Sequence, residues 1–277
     1  MSHQAITPDK RVSAERSPGP TPDVAIAAAG VSRVVANSSG PFEILRDITL
    51  DVGRGEIVGI VGPSGGGKTT FLNIVAGLEA CSGGTLLVEG APPTAGAPSV
   101  AYAFARDALL PWRTALENVE LALRLRRVPK REWGTRALDA LRGVGLAEFA
   151  GTYRAQLSQG MRQRVALART FVTRPSLLLL DEPFAALDSQ TRVILQDLLL
   201  SLLSESRATA LLITHDLAEA ITIADRVVLF SNRPATVRAV YDINLPRPRS
   251  AIELRSDPTF QRIFETIWQS LGEEVRS

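Results

Sequence analysis

The 277-residue chain contains only three lysines, Lys10, Lys68 and Lys130. One of them closes the run Gly62-Pro63-Ser64-Gly65-Gly66-Gly67-Lys68-Thr69-Thr70. The spacing Gly-x4-Gly-Lys-Thr is that of a loop that cradles phosphates. Gly65, Gly66 and Gly67 lack side chains, so their backbone N–H groups can wrap an anion, and a helix opening at the end of the loop adds partial positive charge. Lys68 brings a mobile point charge to β- and γ-phosphates, a task that a planar guanidinium performs poorly. That explains a lysine here in a chain whose other cations are nearly all arginine. The hydroxyl of Thr69 suits Mg2+. Further along, Leu177-Leu178-Leu179-Leu180 runs into Asp181 and Glu182. Asp181 suits a water-mediated contact to Mg2+, and Glu182 suits polarising an attacking water. Alone, this pair reads equally well as an ordinary strand end before a turn; with the phosphate loop upstream it is the expected second half of a site.

These residues need elements to hold them. Residues 56–62, Glu-Ile-Val-Gly-Ile-Val-Gly, are apolar on both faces and predict a buried parallel strand. Residues 48–52 alternate Ile48, Leu50 and Val52 with Thr49 and Asp51, a half-buried antiparallel strand. Runs of the buried kind recur at 177–181, 210–214 and 226–230 with helical stretches between them, the alternation of an α/β parallel sheet covered by helices. From about 105 to 170 the chain turns Arg- and Leu-rich with no buried-strand run, which predicts an inserted helical subdomain. Residues 1–23, rich in Pro, Ser and charge, predict a disordered tail. The expected organisation is therefore a tail over 1–23, a core over 24–230 and a C-terminal appendage over 231–277 that ends in an amphipathic helix. Lys10, Arg11 and Arg16 before an apolar stretch superficially resemble a secretory signal, but Pro18, Pro20, Pro22 and Asp23 interrupt it. No stretch reaches the 18 or so apolar residues of a membrane span. Lys+Arg of 31 against Asp+Glu of 29 leaves +2, spread along the chain, so charge gives no reason to expect a nucleic-acid partner. The single cysteine, Cys81, excludes an intramolecular disulfide and any CxxC motif.

Leu157-Ser158-Gln159-Gly160-Met161-Arg162-Gln163-Arg164, taken with the phosphate loop, the Asp181-Glu182 pair, Ala186-Leu187-Asp188 and Thr214-His215-Asp216, resembles the ATPase domain of ABC transporters over about residues 24–230. The resemblance implies a P-loop (RecA-like) core with an antiparallel β subdomain and the inserted helices. It also implies ATP hydrolysis with Mg2+ in a head-to-tail homodimer. There the phosphate loop of one subunit and the Ser158–Met161 segment of the other, with Gln159 and Gly160, sandwich ATP. Ser158 can donate to the γ-phosphate, and the helix starting near Gly160 points its N-terminus at the same group. Asp188 would sit at the dimer interface, and His215 would contact the γ-phosphate as a switch. Residues 106–119 and 232–250 resemble, more narrowly, the ATP-binding subunits of bacterial importers for nitrate, sulfonates, taurine and related small anions or pyrimidine precursors. This implies two membrane-spanning permease subunits, an extracytoplasmic substrate-binding protein and a place on the cytoplasmic face of the inner membrane. In that family the segment matching Leu109-Leu110-Pro111-Trp112 lies beside the groove for the membrane subunit's coupling helix; from the sequence it reads equally as contact surface or core corner.

Three positions depart from the family pattern. Ala105 stands where a glutamine normally touches Mg2+ and the attacking water. Val35 stands where an aromatic normally stacks on adenine, with Phe42 a candidate substitute. Gln159 replaces a glycine. The first two motivate a different class of function, a nucleotide-binding regulatory module that closes on ATP and scarcely hydrolyses it. A further alternative is a soluble ABC ATPase acting on DNA or ribosomes, although such proteins usually carry tandem ATPase domains or long coiled coils and this chain has one phosphate loop and no sustained heptads.

Overall fold

The computed structural model describes Lys10–Arg11, residues 23–37 and residues 40–276. Apart from Lys10–Arg11 and Asp23, the tail expected over 1–23 lies outside the described residues. The chain divides into two compact units, residues 1–97 with 209–277 and residues 98–208.

The first unit contains two sheets. β2 (Val24–Asn37), β3 (Gly40–Gly53) and β5 (Gly83–Val88) form an antiparallel sheet in the order β3-β2-β5. Ile48, Leu50 and Val52 are buried on one face of β3 while Thr49 is exposed, as the alternation requires. β4 (Ile57–Val61) is buried at every position and pairs in parallel with β8 (Thr209–Ile213) on one side and β9 (Arg226–Phe230) on the other. A residue buried on both faces must be apolar or lack a side chain, and Gly59 shows why one glycine is needed. A Cβ there would lie 3.2 Å from the Cβ of Ala224 and 3.4 Å from that of Ala220, tight enough that α6 (Leu217–Ile223) would have to shift by a few tenths of an ångström to admit it. Two antiparallel strands, β10 (Val237–Asp242) on β9 and β1 (Lys10–Arg11) on β10, extend this sheet. Neither was expected. α1 (Lys68–Val75) follows β4, and α7 (Pro258–Arg276) ends the chain.

Residues 231–277 belong to this first unit. Arg249 fastens them. Its buried guanidinium donates to the carbonyls of Thr222, Ala224, Ile243 and Leu245, two from the α6 end and two from the segment after β10. Burial, reinforced by nearby Arg247 and partly offset by Asp225, lowers its pKa to about 10, so it stays charged at neutral pH. Arg249→Met would leave four buried acceptors without their donor, which should cost roughly 3 kcal/mol. In thermal unfolding the midpoint should fall by roughly 5–10 °C; an unchanged midpoint would show that the staple contributes nothing.

The second unit pairs β6 (Val100–Ala103) in parallel with β7 (Leu177–Asp181) and carries α2 (Ala115–Leu125), α3 (Lys130–Gly143), α4 (Gln159–Phe171) and α5 (Ser189–Ser206). Helices α2–α4 fill the stretch expected to be helical. Val119, Leu123, Ala137, Leu141 and Val165 form their apolar seam. α2 starts at a capping box: Thr114 Oγ1 accepts from the Glu117 N–H at 3.2 Å, and the Glu117 carboxylate accepts from the Thr114 N–H at 2.8 Å.

Candidate functional site

In the first unit the phosphate loop joins the C-terminal end of β4 to α1, and its glycines are required by geometry. Gly65 and Gly67 have φ of 75° and 89°, conformations costly for any residue with a Cβ. A Cβ on Gly67 would come within 2.8 Å of Leu45 Cδ2 and 3.0 Å of Ile44 Cγ2, and one on Gly62 within 2.6 Å of the Phe230 carbonyl oxygen. Gly66 donates its N–H to the Pro63 carbonyl at 3.1 Å, closing the turn. Lys68 is 5% exposed, and its ammonium donates to the carbonyls of Gly62 and Pro63 at 2.8 Å each. The loop backbone thus holds the cation in place. Ser64 and Thr69 are exposed, and Thr70 is half-buried on the first turn of α1.

His215 follows β8, the parallel neighbour of β4, with Ile60 in register with Ile213. The phosphate loop and His215 therefore leave the same edge of one sheet, the edge at which ligands bind such sheets. The turn that presents the exposed imidazole is fixed on both sides: Thr214 Oγ1 accepts from the Asp216 N–H at 3.0 Å, and the Asp216 carboxylate accepts from the Glu219 N–H at 3.2 Å to cap α6.

In the second unit Asp181 is the last residue of β7 and is buried, with the Tyr102 hydroxyl donating to its Oδ2 at 3.2 Å. Tyr102 was missed by sequence reasoning, because nothing local marks a tyrosine on a neighbouring strand as the partner of a carboxylate 79 residues away. Glu182 takes φ 46°, a left-handed conformation that costs a glutamate about 1 kcal/mol or more. The turn behind it is clamped: buried Gln163, on α4, donates to the Pro183 carbonyl at 2.6 Å. Gln163, in the middle of the Leu157–Arg164 motif, is a positioning residue for Glu182 that the spacing alone did not reveal.

Ser158 is the N-cap of α4, its Oγ accepting from the Met161 N–H at 3.2 Å, an arrangement in which its hydroxyl proton can still be donated outward. Gly160 has no room for a side chain, since a Cβ would meet Thr191 Cγ2 at 2.8 Å. Gln159 donates to the Ala186 carbonyl and so ties the start of α4 to the turn before Asp188. Asp188 caps α5, accepting from the N–H groups of Thr191 at 2.9 Å and Gln190 at 3.1 Å; the Thr191 amide first of all holds its carboxyl below the ordinary range. Ala105 lines a cleft of about 230 Å³ with Gln159, Gln163, Pro183 and Ala186.

Beside Ala105, Asp107 accepts two bonds from Arg154, at 2.9 and 3.1 Å, and lies 3.5 Å from Arg162. Burial pushes the Asp107 carboxyl up, but the Arg154 bond, the Leu109 amide and Arg162 together outweigh it and hold the pKa below the ordinary value. A carboxyl depressed in the folded state contributes stability that is present above its unfolded pKa of about 4 and is lost as pH falls through the folded pKa. Asp107→Asn should therefore flatten the acid-side fall of the unfolding midpoint below about pH 4; parallel curves for variant and parent would exclude this linkage.

The residues read from the sequence thus fall in two sets, the phosphate loop with His215 in the first unit and Asp181, Glu182, Ser158, Gln159, Gly160 and Asp188 in the second. The family model for ABC transporters matches residues 45–185. The chain belongs to that family, as an ATP-binding subunit and ATPase. An uncharacterized ABC transporter ATP-binding protein of Bacillus subtilis, YtlC, is 44% identical over 231 residues, covering 82% of this chain and 88% of the relative. The bicarbonate transport ATP-binding protein CmpD of Synechocystis is 40% identical over 84% of each chain. The nitrate import ATP-binding protein NrtC of Synechococcus elongatus is 38% identical over 86% of this chain and 37% of its own, longer one. Among solved structures, the ATP-binding cassette MJ0796, a dimer in a post-hydrolysis state bound to ADP and Pi, superposes with a TM-score of 0.70 at 29% identity over 80% of this chain and all of the other. The fold is accordingly the P-loop ABC ATPase cassette.

Proposed function

We propose that this chain is the ATP-hydrolysing subunit of an importer for a small solute such as nitrate, a sulfonate or taurine. The observation that carries the reading is the kinship, over more than four fifths of this chain, with subunits named for bicarbonate and nitrate transport. The Leu109–Trp112 segment supports it. Leu109 is buried and Trp112 is 70% exposed, so the cluster anchors in the unit's own core while offering an indole outward. Such a surface suits a coupling helix of a membrane subunit.

In this reading ATP sits with its triphosphate in the 62–70 loop, where the glycine N–H groups and Lys68 neutralise it, and two chains pair head to tail. Thr69 and Asp181 would hold Mg2+. Their chemistry fits: an exposed hydroxyl on the first turn of α1, and a strand-end carboxylate whose orientation is fixed by Tyr102. Bound there, the ion would supply positive charge to the phosphoryl oxygens. Glu182 orients and polarises the attacking water, His215 reads the γ-phosphate, and Ser158 with the N-terminus of α4 approaches it from the partner chain. Asp188 stands at the interface. Closure on ATP and reopening after hydrolysis would drive two permease subunits, fed by an extracytoplasmic substrate-binding protein, from the cytoplasmic face of the inner membrane. No helix among the described residues is long and apolar enough to cross a membrane, so anchorage in this reading comes from the permease.

Affinity purification of the tagged chain from native membranes tests the assignment. Recovery of two integral membrane polypeptides, with ATP-dependent uptake of a small solute by vesicles containing them, is the expected result. Recovery on ribosomes or DNA instead would favour the soluble ATPase, and tight ATP binding with no turnover even in the membrane complex would favour the regulatory module.

A further inference from the structure

Phe42 and Arg233 take no part in the chemistry above, yet Arg233 is hydrogen-bonded to the phosphate loop and Phe42 lies against its guanidinium. We propose that these two side chains form the surface on which the nucleobase stacks, in place of the aromatic missing at position 35; the inference rests on the phosphate loop holding a nucleoside triphosphate. β3 is the strand that walls this loop, since its Leu45 and Ile44 leave no room for a Cβ on Gly67. Phe42 lies a few residues earlier on that strand and stands directly opposite Val35 in the β2–β3 ladder. Residues opposite each other in an antiparallel pair share a face, so the ring lost at 35 is regained one strand over. Phe42 is 39% exposed, an aromatic left open beside the site.

Arg233 completes the surface. Its guanidinium carbon lies 5.5 Å from the centre of the Phe42 ring, within cation–π range, and its Nε–H is donated to the Gly65 carbonyl of the phosphate loop. The segment that carries it is fixed to the same strand, with the Ala235 N–H donated to the Ile44 carbonyl and the Arg46 N–H to the Ala235 carbonyl, each at 2.9 Å. A planar cation is thus backed by a phenyl ring, tied at its edge to the loop that takes the phosphates, and exposed. Bases stack on guanidinium planes as well as on aromatic rings. Such a surface offers a π-face and no pattern of donors and acceptors to the base edge, so it favours purine nucleotides over bare triphosphate while discriminating weakly between adenine and guanine.

Calorimetric binding of ATP, GTP and inorganic triphosphate to the full-length chain tests this. Phe42→Ala, and Arg233→Lys, which keeps the charge but loses the plane, should each weaken ATP and GTP about tenfold while changing inorganic triphosphate by less than about twofold. Adding Val35→Tyr to Phe42→Ala should restore ATP affinity. Unchanged ATP affinity in Phe42→Ala, or ATP and triphosphate weakening in step, would overturn the proposal, the second outcome marking a merely structural role. A parent chain that binds neither ATP nor triphosphate would instead overturn the phosphate-loop reading itself, and the base surface with it.

Discussion

Glu182→Gln is expected to keep ATP binding, to lower turnover at least about a hundredfold and to accumulate an ATP-dependent dimer. The substitution is nearly isosteric and leaves the turn held by Gln163 on the Pro183 carbonyl intact. In the proposed function it removes the group that would accept or orient the proton of the attacking water, and a positioned base contributes about 10²–10⁴ in rate. With two ATP molecules sandwiched and not consumed, the closed state persists, visible as a monomer-to-dimer shift on size exclusion with ATP. Undiminished turnover would remove Glu182 from the catalytic role, and lost binding would mean that the strained turn had collapsed.

Lys68→Ala should act one step earlier, on binding itself. The ammonium is buried and already positioned by the Gly62 and Pro63 carbonyls, so little ordering is left for it to undergo when it meets the phosphates. Removing it should weaken ATP by roughly 3 kcal/mol, about a hundredfold, with hydrolysis lost at ordinary ATP concentrations. An unfolding midpoint close to that of the parent chain separates this from misfolding. Retained affinity would place the triphosphate elsewhere.

Much of this site was legible because its residues are bound to local geometry. A glycine-rich loop between an all-apolar strand and a helix has few conformations open to it, and β4, β7 and β8, with the helices between 115 and 171, appear where periodicity put them. What the sequence hid depends on contacts between distant segments. Arg249 reads as a solvated charge in a proline-rich tail, and only the packing of α6 against the segment after β10 shows it to be a buried staple. The appendage is part of the first unit for the same reason. β10 and the two-residue β1 exist through pairing with β9 and with each other, and their own sequences carry no strong strand pattern. Tyr102 and Gln163 matter through single hydrogen bonds to Asp181 and to the turn after Glu182, which no spacing rule encodes. The Leu109–Trp112 cluster, open between core and surface in the sequence, divides: leucine inside, tryptophan outside.

Hydrolysis of Mg-ATP by the purified chain, followed across a range of protein concentrations, tests the central claim most directly. A dimeric ATPase whose site is completed by Ser158 of the partner subunit predicts turnover that rises more steeply than linearly with protein concentration and disappears in Lys68→Ala. Turnover strictly proportional to chain concentration would contradict the shared site, and ATP bound tightly with no turnover at any concentration would contradict a competent ATPase at this loop.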